Sequence, residues 1–171
     1  MVDWVHQRFG GDAITVVSPD VGGVKRAERL RQSLERTQGR SVGMAFLEKY
    51  RSAGVVSGEA LVGEVAGATA LIVDDLISSG TTIARAARAC RTAGATRVVA
   101  MATHGLFVGD ANRILGEAPL DGVLVTDSVP PFRVTPGPLR ERLFVLETGP
   151  LLAEVITRLH QEKSLTGLFE P

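Results

Sequence analysis

The chain has one cysteine, one tryptophan and one tyrosine in 171 residues, and aromatic residues make up only 5% of it. A lone Cys90 cannot close an internal disulfide or build a cysteine zinc site, so the expected setting is reducing and cytoplasmic. Its context, ARAARACRTAGA, reads as an alanine-rich helix in which a small buried thiol is unremarkable. No apolar run approaches the roughly 18–20 residues that cross a bilayer. The opening MVDWVHQRFG has neither the basic start nor the apolar stretch of a secretory signal. Charge of one sign is also missing: Lys plus Arg and Asp plus Glu stand at 19 each, so nothing calls for nucleic acid or membrane lipid as a partner. There is no Gly-Lys-Ser/Thr P-loop, and no GxGxxG follows any strand candidate, which argues against nucleotide hydrolases and dinucleotide folds. Repeats and low-complexity tracts are absent. The length and the 44% hydrophobic content fit one domain over residues 1–171.

What is present is an alternation of short apolar runs and helical stripes. Residues 13–18, 41–47, 59–65, 68–73, 98–101, 122–125 and 143–146 read as strands. Helices are expected over residues 24–38, 81–93, 111–115 and 150–161. Residues 48–58 have no period and read as a flexible loop or ribbon, and the segment carrying Pro130, Pro131, Pro136 and Pro138 reads as a loop. Strands that alternate with helices, each a continuous apolar run, imply an α/β fold: a doubly wound parallel sheet covered by helices. Ligands of such sheets sit beyond the carboxyl ends of the strands, which selects the loops beginning at Asp20, Asp74, Thr103 and Thr126. In the first, Gly22 and Gly23 let the backbone take positive φ.

The second loop carries the chemistry. A buried strand delivers two adjacent acids, Asp74 and Asp75, to the sheet edge. Ser78, Ser79, Gly80, Thr81 and Thr82 then lead into a helix. Unpaired N–H groups at a helix start favour an anion, the glycine allows close approach of backbone to phosphate oxygens, and the hydroxyls add short donors. Adjacent carboxylates repel unless donors or a cation intervene. Ribose hydroxyls or a hydrated Mg²⁺ meet that need. The competing reading is a polar loop start with Ser79 or Thr81 capping the helix.

Read together, Val73-Asp74-Asp75-Leu76-Ile77-Ser78-Ser79-Gly80-Thr81-Thr82 resembles the phosphoribosyl-pyrophosphate (PRPP) binding motif of type I phosphoribosyltransferases and their relatives. The surroundings resemble the C-terminal half of ribose-phosphate diphosphokinases, also called PRPP synthetases. Ser18-Pro19-Asp20-Val21-Gly22-Gly23-Val24-Lys25-Arg26-Ala27 is similar to their pyrophosphate loop, and Thr103-His104-Gly105 and Thr126-Asp127-Ser128 to the following strand-end loops. The tail Gly149-Pro150-Leu151-Leu152, with His160 beyond it, fits their last helix.

The resemblance implies transfer of diphosphate from ATP to ribose 5-phosphate to make PRPP, with Mg²⁺, for nucleotide biosynthesis. It places Asp20, Gly22 and Gly23 at the pyrophosphate loop, with Asp20 near the metal. Asp74 and Asp75 fall on the ribose hydroxyls, and Ser78 through Thr82 on the 5-phosphate. Lys49 and Arg51 stand at the family's mobile basic arm and are the catalytic candidates; taken alone they read as exposed surface charges. Arg26 is a lesser phosphate candidate, the alternative being that it faces solvent. Departures are Ser78 where synthetases usually carry aspartate, Val21 where histidine is frequent, and a chain that begins where the synthetase's second half begins. A homo-oligomer, or a partner supplying an N-terminal half, is therefore expected. The alternatives are a free-standing phosphoribosyltransferase that uses PRPP and a non-catalytic PRPP-binding regulatory module. His6 reads as a surface residue and His160 as structural. His104 could meet ligand or make a structural hydrogen bond.

Overall fold

The computed structural model describes residues 1–52 and 55–168, with side chains described outside residues 49–59. Seven strands form one sheet: β1 (Ile14–Ser18), β2 (Gly43–Ser52), β3 (Val55–Val62), β4 (Thr69–Ile77), β5 (Arg97–Gly105), β6 (Gly122–Thr126) and β7 (Leu143–Leu146), in the order β3-β2-β1-β4-β5-β6-β7. Every neighbouring pair is parallel except β2 and β3, which run antiparallel with Phe46 opposite Val62 and Glu48 opposite Ala60. All five residues of β1 and all five of β6 are buried. That is the burial expected of parallel strands covered on both faces, and it explains why they read as unbroken apolar runs.

The covering helices are α1 (Val2–Phe9), α2 (Val24–Gln38), α3 (Thr81–Thr92), α4 (Ala111–Glu117) and the short α5 (Pro138–Glu141). Successive strand residues point to opposite faces, so β4 divides its side chains between two cores. Leu71 and Val73 pack with Val5 and Phe9 of α1 and with Ala27 and Leu34 of α2. Ala70 and Ile72 pack with Ile83, Ala87 and Cys90 of α3 and with Leu115 of α4. The last helix, α6 (Gly149–His160), buries none of its residues, and Leu151, Leu152, Ile156 and Leu159 are each about half exposed or more. Among the described residues no helix is long and apolar enough to cross a membrane.

The doubly wound parallel sheet expected from the sequence is present. Three local readings are refined. Of the loop or ribbon expected over residues 48–58, the described backbone forms the ribbon: β2 runs on to Ser52 and β3 begins at Val55, paired by ladder hydrogen bonds. No element is expected over the first residues, yet α1 forms there, with Val5 and Phe9 buried. The proline-rich loop contains α5, whose first residue is Pro138, a position where the missing N–H removes no helix bond.

From β1 the sheet grows outward through β2 to β3, and from β4 it grows the other way through β5 and β6 to β7. The winding direction reverses between β1 and β4, which opens a crevice beyond their carboxyl ends. The loops that follow those two strands are the ones beginning at Asp20 and near Asp74.

Candidate functional site

Strand β4 outlasts its apolar run. Pairing with β5 continues through Asp74 opposite Ala102, Leu76 opposite His104 and Ile77 opposite Gly105. The two acids are therefore held on a strand overhang rather than on a free loop, Asp74 half-buried and Asp75 exposed. The base of the following turn is tied to the end of β5: the N–H groups of Leu106 and Phe107 donate to the Ile77 carbonyl, and that of Val108 donates to the Ser78 carbonyl. Gly80 then turns with φ 78° and α3 begins at Thr81. This helix has no side-chain cap and no acid in its first turn. Its leading N–H groups and positive dipole end stay open to an anion. The Ser79 and Thr81 hydroxyls lie 3.1 Å apart beside it, bonded to each other rather than capping the backbone.

The loop after β1 is built by space rather than by unusual φ. Neither Gly22 nor Gly23 takes positive φ, contrary to the sequence expectation. A Cβ at Gly23 would lie 2.6 Å from the Ser18 Oγ and 3.2 Å from an Arg26 nitrogen, and one at Gly22 would lie 3.3 Å from an Asp20 oxygen. The glycines leave room for a carboxylate and a guanidinium. The Asp20 Oδ1 accepts the Gly23 N–H at 2.9 Å, and the Ser18 hydroxyl donates to the Asp20 carbonyl at 2.6 Å.

Arg26, in the first turn of α2, does not simply face solvent. Its Nη1 donates to Asp74 Oδ1 at 2.9 Å and its Nη2 reaches Asp75 Oδ2 at 3.0 Å. Backbone donors complete the arrangement, Asp75 N–H to Asp74 Oδ1 and Leu76 N–H to Asp75 Oδ1, each at 2.9 Å. The acids are consequently unequal. Burial pushes the Asp74 carboxyl above its ordinary range, and the neighbouring Asp75 adds to the rise against the pull of Arg26. At Asp75 burial is the largest single influence and pushes upward, but the hydrogen bond with Asp74, the Arg26 charge and the backbone donors together outweigh it, so its carboxyl falls below the ordinary range.

Residues 74–83 and Asp20 together wall a cavity of about 320 Å³, so the structure gathers Asp20, Asp74, Asp75, Ser78, Ser79, Gly80, Thr81 and Thr82. Asp20 and Gly22 also border a second cavity of about 320 Å³, beside Val21, Leu47 and Glu48. The side chains of Lys49 and Arg51 lie outside the described residues. Among the described residues no three of His, Cys, Asp and Glu gather as a metal cage. Mg²⁺ is commonly held by one or two carboxylates together with ligand phosphates and water. The Asp20 carboxylate, fixed through one oxygen where the two cavities meet, fits that mode.

The other two strand-end loops bond to each other instead. The Thr126 hydroxyl donates to the Thr103 carbonyl at 2.7 Å, and His104 Nδ1 lies 2.8 Å from the Ser128 Oγ. Asp127 accepts the Thr148 N–H and hydroxyl, which anchors the start of α6 and holds the Asp127 carboxyl below its ordinary range. His6 and His160 are exposed.

Comparison with known proteins agrees with this fold. Residues 48–170 match the family model of the phosphoribosyl synthetase-associated domain. The chain is 39% identical over 168 residues to a ribose-phosphate pyrophosphokinase of Rhodopirellula baltica, covering 97% of this chain and 50% of that protein. It is 37% identical over 172 residues to one of Hyphomonas neptunium, covering 99% and 53%. The crystal structure of phosphoribosylpyrophosphate synthetase from Mycobacterium smegmatis superposes with a TM-score of 0.78 at 32% identity, over 94% of this chain and 49% of that one. The chain thus spans about half the length of the relatives it matches. With the family model covering most of its length, and a fold that superposes on a solved synthetase, the chain belongs to the phosphoribosyl synthetase-associated domain family.

Proposed function

We propose that the crevice between β1 and β4 seats the ribose and 5-phosphate of ribose 5-phosphate and of PRPP. The single observation that carries this reading is one cavity wall in which an acid pair runs directly into an uncapped, hydroxyl-lined helix start. Asp74 and Asp75 accept the ribose hydroxyls. The open N–H groups of α3 and the hydroxyls of Ser78, Ser79, Thr81 and Thr82 take the 5-phosphate around Gly80. The diphosphate lies toward Asp20, Gly22 and Gly23; Asp20 would hold Mg²⁺, which would neutralise phosphate charge.

The reaction proposed is that of the named relatives. The anomeric hydroxyl of ribose 5-phosphate attacks the β-phosphorus of ATP, the bond to the α-bridging oxygen breaks, AMP leaves, and the hydroxyl proton is released. Such transfers depend on alignment and charge stabilisation more than on covalent help. Lys49 and Arg51, on the ribbon that leaves the sheet beside Leu47, are the candidates for closing over the transferring phosphates. A second half, from whichever chain carries it, supplies the rest of the ATP site. The exposed apolar face of α6 supports such a partner surface. The setting proposed is the cytoplasm.

Titration calorimetry with ribose 5-phosphate and PRPP, with and without Mg²⁺, tests the seat. An AMP-formation assay, alone and with a synthetase N-terminal half, tests the reaction. Micromolar binding without turnover under both conditions would reduce the reading to a regulatory module. Pyrophosphate release from PRPP with a nucleobase would move it to a transferase. Absence of phosphosugar binding would end it.

A further inference from the structure

We infer that Arg26 is a positioning residue that aims Asp74 and Asp75 as one paired acceptor for a vicinal diol, and so sets the preference for ribose over 2-deoxyribose at the proposed seat. This rests on the reading that the cavity holds a phosphosugar. Its own basis is where Arg26 stands. The cavity wall contains both carboxylates and not Arg26, so the guanidinium acts on the acids from behind. It does so with a fork: one nitrogen on each acid, at 2.9 and 3.0 Å, across the gap between α2 and the β4 overhang. Each acid is also fixed by a backbone N–H, so both carboxylates are held at two points.

The fork matters because adjacent carboxylates repel. Left alone, the pair relieves that repulsion by rotating one acid away or by taking up a proton. Either change removes one of two acceptors. With one guanidinium arm on each acid, the two carboxylates stay neighbouring, and each keeps acceptor sites for the cavity side, since a carboxylate offers about four. Two acceptors held side by side suit two donors on adjacent carbons. A ligand that lacks the 2-hydroxyl leaves one of the two acceptors unmet, and its affinity falls relative to ribose by the contact it cannot make. Arg26 has room for this because Gly23 has no side chain: a Cβ there would lie 3.2 Å from the Arg26 Nη1. The same glycine lies in the proposed diphosphate loop, so the two loops of the crevice are linked through one side chain.

A lysine could supply the charge, but as a single point and not a fork. Arg26→Met removes both, and Arg26→Lys separates them. Calorimetry on the full chain with Mg²⁺, titrating ribose 5-phosphate and 2-deoxyribose 5-phosphate in parallel, reads the ratio of affinities, and thermal melts monitor folding. The wild type is expected to favour ribose 5-phosphate. Arg26→Met should weaken ribose 5-phosphate by about tenfold or more while changing the deoxy sugar much less, so that the ratio collapses. Arg26→Lys should recover part of the ribose affinity and little of the ratio. A folded Arg26→Met with an undiminished ratio overturns the inference, as does a loss shared equally by both sugars. If Arg26→Met does not fold, the ratio in Arg26→Lys decides: a wild-type ratio overturns the inference and a reduced one supports it. No binding by the wild type overturns the phosphosugar reading itself, whereas wild-type binding with an unmoved ratio in the variants overturns only the role of Arg26.

Discussion

Gly80 turns in the left-handed region directly against Leu115: a Cβ added to Gly80 would lie 2.5 Å from the leucine Cγ and under 3 Å from both of its methyl carbons. The loop that opens onto the crevice is thus set by contact with α4, which follows α3 and β5 in the chain.

Gly80→Ala should destabilise the fold by about 2–4 kcal/mol, combining a positive φ of 78° with an overlap that a fully buried leucine cannot relieve. Adding Leu115→Ala removes the overlap but not the backbone strain. Urea unfolding of the single and double variants should therefore show a double variant less destabilised than the sum of the two singles.

The acids predict opposite behaviour for stability and for binding. The Asp74 carboxyl is held above its ordinary range by burial, so its ionisation opposes folding; that group's contribution is fully present below the unfolded carboxylate pKa and is lost as pH rises through the folded one. Asp74→Asn should accordingly melt no lower than the wild type at neutral pH while losing Mg-dependent ribose 5-phosphate affinity. Asp75→Asn should remain folded and weaken the same binding by about tenfold or more. Unchanged affinity in a folded Asp75→Asn protein would remove Asp75 from the site.

These expectations mark how far the residues alone reach. Strands β1, β4, β5 and β6 are legible because burial on both faces leaves them as apolar runs, whereas the reversal of winding between β1 and β4 is seen only in the folded sheet. The motif residues 74–82 are legible because acids, hydroxyls and glycine fall in sequence after such a run. Other features leave no local trace. The β4 overhang is invisible because Asp74 and Asp75 break the apolar pattern while β5 keeps the pairing. Helix α1 is short, and its stripe of Val2, Val5 and Phe9 has only three members. Arg26 is one polar residue on an Arg-rich helix, and its reach to two acids 48 and 49 positions away has no period to betray it. Gly23 suggested a turn but serves as space, a distinction that only the neighbouring Ser18 and Arg26 side chains make.

Arg142 is a similar case with a structural outcome. All five of its N–H donors fall on carbonyls: Nε on Pro138, Nη1 on Ala118 and Leu120, and Nη2 on Leu115 and Gly116. These groups include the C-terminal end of α4, whose last carbonyls have no helical partner. Arg142→Met should destabilise by about 3 kcal/mol by leaving carbonyls unmet, and Arg142→Lys should recover only a fraction because an ammonium cannot span them. Because α4 carries Leu115 beneath Gly80, hydrogen exchange in the 78–82 loop should quicken in Arg142→Met even where the rest of the sheet stays protected.

Cys90 provides a readout of the core that needs no mutation. It is fully buried on α3 against the face of the sheet formed by Ala70 and Ile72, and burial pushes its thiol up to about 12. Reactivity follows the thiolate, and at pH 8 that form is negligible and the sulfur inaccessible. A disulfide reagent added to the folded chain should therefore label slowly, and labelling should rise with urea along the same transition as loss of helical circular dichroism. Fast stoichiometric labelling without denaturant would mean that α3 opens from the sheet on its own. The proposed phosphate loop, which leads directly into that helix, would then lack the fixed start that an anion seat requires.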